Sequence, residues 1–237
     1  MLGSIFSALT GLSNATKRLQ NSANNLANLQ TSGFKKSEVN TIENKSGGTR
    51  IHSITKSNTQ GGLIPTNNSL DLAIIGRGFF QVTNPNGVTS YTRAGSFKLN
   101  GAGQVVDANG NSLIPEINIP AGNNGITVGA NGQVSSQTPA GLELTGQIQL
   151  ANFNNPEGLI AVGGNLLNES AASGAPILGI PGEGALGSLI AGFLEGSNVD
   201  IEEEMIDQIV SKAAFKANVN VIKANDEIIG SLLDTKS

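Results

Sequence analysis

Apolar positions along the 237-residue chain follow three successive rhythms. Near the N-terminus, Ile5, Leu9, Leu12, Thr16, Leu19, Ala23 and Leu26 recur in alternating steps of four and three. That spacing keeps one stripe on a helix face and, sustained over about three heptads, predicts a coiled-coil seam. Near the C-terminus the rhythm returns in Val210, Ala214, Ala217, Val221, Ala224 and Ile228, with a second stripe at Phe215, Ile222 and Ile229. The predicted C-terminal helix runs from Asp200 to Leu233. Ser197, Asn198 or Asp200 caps it, and Glu202, Glu203 and Glu204 suit the positive end of its dipole.

Between the ends the period changes. From residue 61, short apolar or alternating runs such as "LDLAIIGRGFFQV", "SYTRAGSFKLN" and "LELTGQIQLANF" are separated by Gly, Pro and Asn-Gly turns, including "NPNG" at 84–87. Closely spaced turns of this kind predict an antiparallel β domain. The expected organisation is α+β: an N-terminal helix over 1–33, an extended linker over 34–60, a β-rich domain over 61–192 and a C-terminal helix over 193–237. The simplest arrangement pairs the two helices as an antiparallel α-hairpin closed through the middle. A helical layer on a single globular core is the competing arrangement. The C-terminal seam is mostly alanine, so a close helix approach is expected, with little area buried per residue. Such a pair needs neighbours, most simply copies of itself.

Composition narrows the chemistry. With 31 glycines, 14% charged and 4% aromatic residues, the chain reads as turn-rich β structure. A net charge of −4 gives no basic face for nucleic acid. No cysteine is present, which removes disulfides, thiolate metal sites and a Cys nucleophile. His52 is the sole histidine, so a Ser-His-Asp site would depend on it alone. Gly76-Arg77-Gly78 lacks the following helix and Gly-Lys-Ser/Thr of a phosphate loop, and reads as a tight turn. Asp107–Asn111 resembles the start of a calcium loop, but Ser112 stands where that loop needs glycine and Asn118 where it needs glutamate, so an Asn-Gly hairpin turn is expected. Glu202–Glu204 point in different directions around a helix, which favours a solvated first turn over a metal site. No catalytic constellation, cofactor site or metal site emerges. The start of the chain lacks a secretory signal pattern. Residues 176–194 have membrane-spanning length but are broken by Pro176, Pro181, Glu183 and several glycines, and read as a flexible apolar connection rather than a membrane span.

One polar feature stands out. Asn14, Asn21, Asn25 and Asn28 share a helix face, although asparagine is a poor helix former. A merely solvated face is better served by Lys, Glu or Gln. The stripe therefore reads as interface: amides bonding across a close, desolvated contact and setting register there. Gly33 reads as the helix stop.

"SANNLANLQTSGFKK", "TQGGLIPTNNSLDLAIIGRGFFQV", "YTRAGSFKLNGAGQVVDANGN" and the segment 193–233 resemble, in order, the signature blocks of the flagellar rod and hook proteins. Later blocks are most similar to distal-rod members, whereas the stretch after Phe34 is shorter than theirs, which keeps proximal-rod and hook-like subunits open. The resemblance implies a non-enzymatic structural subunit, exported by the flagellar type III apparatus without a cleaved signal and stacked in the periplasm as a hollow drive shaft. The implied partners are further copies of the chain, other rod and hook subunits, the export apparatus and the rings around the rod. The assembly interface is expected at Ile5, Leu9, Leu12, Leu19, Asn21, Ala23, Asn25, Leu26 and Asn28, with Val210, Ala214, Ala217, Val221, Ala224 and Ile228. The alternative outside the family is a β-domain binding module dimerised by its helices.

Overall fold

The computed structural model describes residues 2–45, 47–120, 122, 125–139 and 141–234. The chain divides into two compact units, one of residues 1–29, 36–57 and 199–237, the other of residues 30–35 and 58–198.

The first unit holds helices α1 (Leu2–Ala27) and α2 (Ile201–Asp234) and an antiparallel hairpin of strands β1 (Ser37–Glu43) and β2 (Thr49–Lys56). Asp200 caps α2: its Oδ1 accepts the Glu202 N–H at 2.8 Å and the Glu203 N–H at 3.3 Å. The helices pack antiparallel. Ser4 Oγ donates to Asn225 Oδ1 at 3.2 Å, Gly11 lies against the Asn218 amide, and Asn25 Nδ2 donates to Glu204 Oε1 at 2.7 Å. These pairs are spaced by whole heptads on both helices, so one register runs along the seam. A Cβ at Gly11 would lie 2.8 Å from the Asn218 amide atoms, which explains glycine at that contact. The expected helical pairing is thus present, and the overall class is α+β.

The stretch expected as a linker is instead mostly the β1–β2 hairpin, which packs on α1. Its sequence, "SEVNTIE" and "TRIHSITK", alternates as a strand does, but with few apolar residues to reveal a packed face. His52 lies exposed on β2.

In the second unit all strand pairings are antiparallel. A large sheet is ordered 160–163, 166–168, 89–92, 79–83, 112–114, 105–106 and 98–99, with 150–152 bridging 79–83 and 177–179. Strands 125–128, 133–138 and 141–147 form a three-stranded sheet, and 72–75 pairs with 188–191 and 63–65 with 193–195. Phe80, Leu72, Ile74, Leu113, Ile117, Ile148 and Leu150 fill the main core. Phe79, Tyr91 and Phe153 form a second cluster with edge-to-face ring contacts.

Tight turns repeat one device. The Oδ1 atoms of Asn84, Asn100 and Asp107 each accept the N–H groups two and four residues on. The Asp107 carboxylate is therefore spent inside its own turn, as the hairpin reading expected. Residues 176–194, expected as a flexible connection, contribute strands 177–179 and 188–191 and the start of 193–195. Their prolines and most of their glycines fall between short strands instead of preventing them. No described helix is long and apolar enough to cross a membrane.

Candidate assembly interface

Helix α2 carries two different faces. Glu204, Ser211, Phe215, Asn218, Ile222 and Asn225 are buried or half-buried and follow the heptad step along the α1 side. Opposing them on α1 are Ala8, Ala15, Ser22 and Asn25, all buried. The alanine-rich seam anticipated from the sequence lies elsewhere. Val210, Ala214, Ala217, Val221, Ala224 and Ile228 are all exposed, joined by Met205, Ile206 and Ile209, the last 67% exposed. Both stripes share a seven-residue period, so periodicity alone cannot rank them. The intramolecular contact uses the stripe that lets backbones approach and finds hydrogen-bond partners. On α1, Ile5, Leu12, Leu19 and Leu26 are half-buried, whereas Leu9 and Ala23 are exposed.

The asparagine stripe has a specific structural use. Asn25 Oδ1 accepts the Ser37 N–H at 3.0 Å while its Nδ2 donates to Ser37 O at 2.9 Å and to Glu204 Oε1. The amide thus pairs with both backbone groups at the start of β1, as a neighbouring strand would. An amide side chain holds a donor and an acceptor on adjacent atoms, matching a backbone N–H and C=O side by side, and asparagine is short enough to do so from a close helix. Asn21 Nδ2 also donates to Ser37 O, and Asn14 Nδ2 to Thr49 Oγ1. Ser22 Oγ adds a bond to Glu204 O at 3.1 Å. Asn28, half-buried, bonds back to Asn24 O at 3.0 Å. Asn14, Asn21 and Asn25 therefore direct their amides to β1, β2 and α2 of the same chain. Lys36 bridges Glu203 at 2.9 Å and Glu38 at 3.4 Å, and the hydrogen bond to Glu203 raises its pKa.

Gly33 departs from its expected role. The helix ends at Ala27, with the turn bonds Asn28 N–H to Asn24 O and Leu29 N–H to Leu26 O. Gly33 adopts φ +69° in the second unit, its N–H donates to Glu195 O at 2.7 Å, and a Cβ there would collide with the backbone of Arg93 and Ala94. Close backbone approach, not helix termination, demands glycine here.

Next to it lies a cluster that the sequence reading missed. Glu195, fully buried, receives Lys35 Nζ on Oε1, Arg93 NH1 on Oε2 at 3.3 Å and the Gly61 N–H at 3.0 Å. Arg93 also donates to Gly76 O at 2.7 Å and lies 5.3 Å from the Phe79 ring centroid. Burial lowers the pKa of both cations, offset in part by Glu195. Lys35, Arg93 and Glu195 come from "SGFKK", "YTRAGS" and "FLEGS", far apart in the chain, so only the fold brings them together. They accompany glycine and small residues in their blocks, the one local sign of a charge held close to backbone.

Among the described residues no group of His, Cys, Asp or Glu is arranged to hold a metal. What the first unit offers is a long exposed apolar stripe on a helix whose other face is already used. Comparison with known proteins gives that surface a context. The flagellar hook protein FlgE/F/G D1 domain family matches residues 73–136, and the flagellar basal body rod FlgEFG protein C-terminal family matches residues 190–235. The flagellar basal-body rod protein FlgG of Agrobacterium fabrum is 36% identical over 247 residues, covering 93% of this chain and 94% of that protein. FlgG of Bacillus subtilis is 36% identical over 264 residues, covering the whole of both. The flagellar hook protein FlgE of Salmonella typhimurium is 35% identical over 158 residues, covering 64% of this chain and 38% of that protein. The chain therefore belongs to the flagellar basal-body rod FlgE/F/G family, as a non-enzymatic structural subunit similar to FlgG.

Proposed function

We propose that this subunit polymerises with copies of itself into a hollow helical tube, a segment of the drive shaft that carries motor torque to the hook. The observation that carries this reading is the outward stripe of α2, which places Ile206, Ile209, Val210, Val221 and Ile228 in solvent. Large exposed apolar patches mark interaction surfaces. Here the patch runs along a helix whose opposite side, a mix of polar groups with Phe215 and Ile222, is already packed on α1. Copies stacked through the helical unit bury that stripe. Ile5, Leu9, Leu12, Leu19, Ala23 and Leu26 of α1 contribute from the adjoining helix. Asn21, Asn25 and Asn28 act one step removed, by holding the helix and hairpin in the shape that neighbours meet.

The subunit travels through the flagellar type III apparatus and assembles in the periplasm. Its partners are other rod and hook subunits and the rings around the rod. A distal position is favoured by the full-length similarity to FlgG proteins. The alignment with the Bacillus subtilis protein spans 264 positions against 237 residues here, so about 27 residues of that protein have no counterpart in this chain. Before incorporation the helical unit is only weakly ordered, because most of its apolar area awaits a neighbour.

Limited proteolysis of the purified monomer tests this reading together with electron microscopy of basal bodies. Rapid loss of both ends to a core near residues 35–195, and rods missing from cells that lack the chain, are expected. Protected termini at low concentration, or complete rods in those cells, overturn it.

A further inference from the structure

We infer that α2 docks on α2 of a second copy in parallel, shifted along the axis by nine residues, with Lys212 on Glu203 and Lys216 on Asp207. The inference rests on the self-assembly reading and names the register of that contact.

All four side chains are exposed, and Glu203 remains 59% exposed after bridging Lys36. Positions 203 and 212, like 207 and 216, are nine residues apart. Nine residues are about two and a half helical turns, with a rise of about 14 Å. The acidic pair therefore projects on the opposite side of α2 from the basic pair; Val210, Val221 and Ile228 share the acidic side, and Met205 and Ile209 lie toward the basic one. An antiparallel self-contact would need acid and base on one face, so it cannot join these groups. A parallel neighbour shifted by that rise sets the basic flank of one copy against the acidic flank of the next. Such a contact is heterologous and leaves an unused flank at each end, as an extending polymer needs.

Apolar residues select the same register. A nine-residue shift also puts Val219 against Val210. A sixteen-residue register, also near half a turn, pairs Lys216 with Asp200 and Lys223 with Asp207. It also places Val219 against Glu203 and Asp226 against Val210, a mismatch at both positions.

The acidic flank has a receiving shape. A cleft of about 240 Å³ lies among α1, β1 and α2, lined by Glu38, Glu203, Glu204 and Asp207 against Arg18 and Lys36. Four carboxylates against two cations leave room, in space and in charge, for a lysine ammonium.

The absence of cysteine gives disulfide mapping a clean background. Asp207→Cys and Lys216→Cys are introduced together into the full-length chain, expressed in place of the cell's own copy, and isolated basal bodies are oxidised. The expected result is a ladder of covalent multimers from the double variant, with nothing beyond dimers from either single variant. Basal bodies that contain the chain but yield no ladder, or a ladder from Asp207→Cys with Lys223→Cys instead, overturn the register and leave self-assembly standing. Basal bodies in which even the unsubstituted chain is not polymeric overturn both. As a second measurement, Lys216→Asp alone loses swimming and the added Asp207→Lys restores it; failure of that rescue counts against the pairing.

Discussion

The two units of this subunit distribute polar and apolar groups in opposite ways. In the β unit, Phe80, Leu113 and Leu150 are fully closed off from solvent. On the helices of the other unit the closed-off groups are small or polar, Ala8, Asn14, Ala15, Ser22, Asn25, Glu204 and Ser211, while most isoleucines and valines of α2 face outward. At about 25 cal/mol per Å² of apolar surface buried, a seam of alanine and serine contributes little to standing alone. The β unit carries its stability within itself. The helical unit keeps specificity inside, as hydrogen bonds in one register, and leaves its apolar stripe exposed. In the proposed polymer, that division would let the surface that joins copies also complete the fold.

Substitutions can break this contrast. The largest effect is expected at Glu195. Glu195→Ala leaves Lys35 and Arg93 buried without their carboxylate, costing about 3–5 kcal/mol. Denaturant titration of the purified chain, followed by the β signal in circular dichroism, measures it; a loss below about 1 kcal/mol would mean that water or backbone replaces the carboxylate. Leu113→Ala opens the main β core and is expected to cost about 2–5 kcal/mol in the same titration. Neither change should alter amide exchange in α1 or α2 of the monomer if the units are independently stabilised.

Asn25→Ala sharpens the comparison from the other side. It orphans the Ser37 N–H and one oxygen of Glu204, while Ser37 O keeps its bond from Asn21, at about 1–3 kcal/mol. In assembled rods, hydrogen exchange should quicken in α1 and β1 while the β unit is unaffected. Unchanged exchange there would show that the amide only decorates the contact.

The smallest effect concerns pH. Burial lowers the pKa of Lys35 below its ordinary 10.5, so the unfolded chain holds that proton more tightly than the folded one. Stability of the β unit should therefore gain as pH rises from the lowered value toward 10.5. The gain should vanish in Lys35→Met, as read from paired denaturation curves across the alkaline range.

Legibility in the sequence differed between the units for physical reasons. Turn chemistry made the β unit readable, because Asn-Gly and Pro-Asn-Gly act locally and Asn84, Asn100 and Asp107 bond to residues only two and four positions on. The helices were readable from their heptads. The face of α2 that meets α1 was not, because two stripes with one period compete and the winner depends on Gly11, Ala8 and Ala15 across the seam. The β1–β2 hairpin escaped notice because its anchors are amides of α1 rather than its own apolar residues. Gly33 carried a clear signal for an unusual backbone, but its cause, the nearby Arg93–Ala94 backbone, lies some sixty positions away.

By itself the sequence determined the α+β order of elements, the heptad period at both ends, the cap region of α2, the hairpin turns and the family. Each of these rests on interactions between near neighbours or on residue pattern. Only the tertiary structure decided which stripe turns inward, what the asparagines hold, and that Lys35, Arg93 and Glu195 meet. These depend on contacts between distant segments, where the available partner, and not the residue's own preference, sets the outcome.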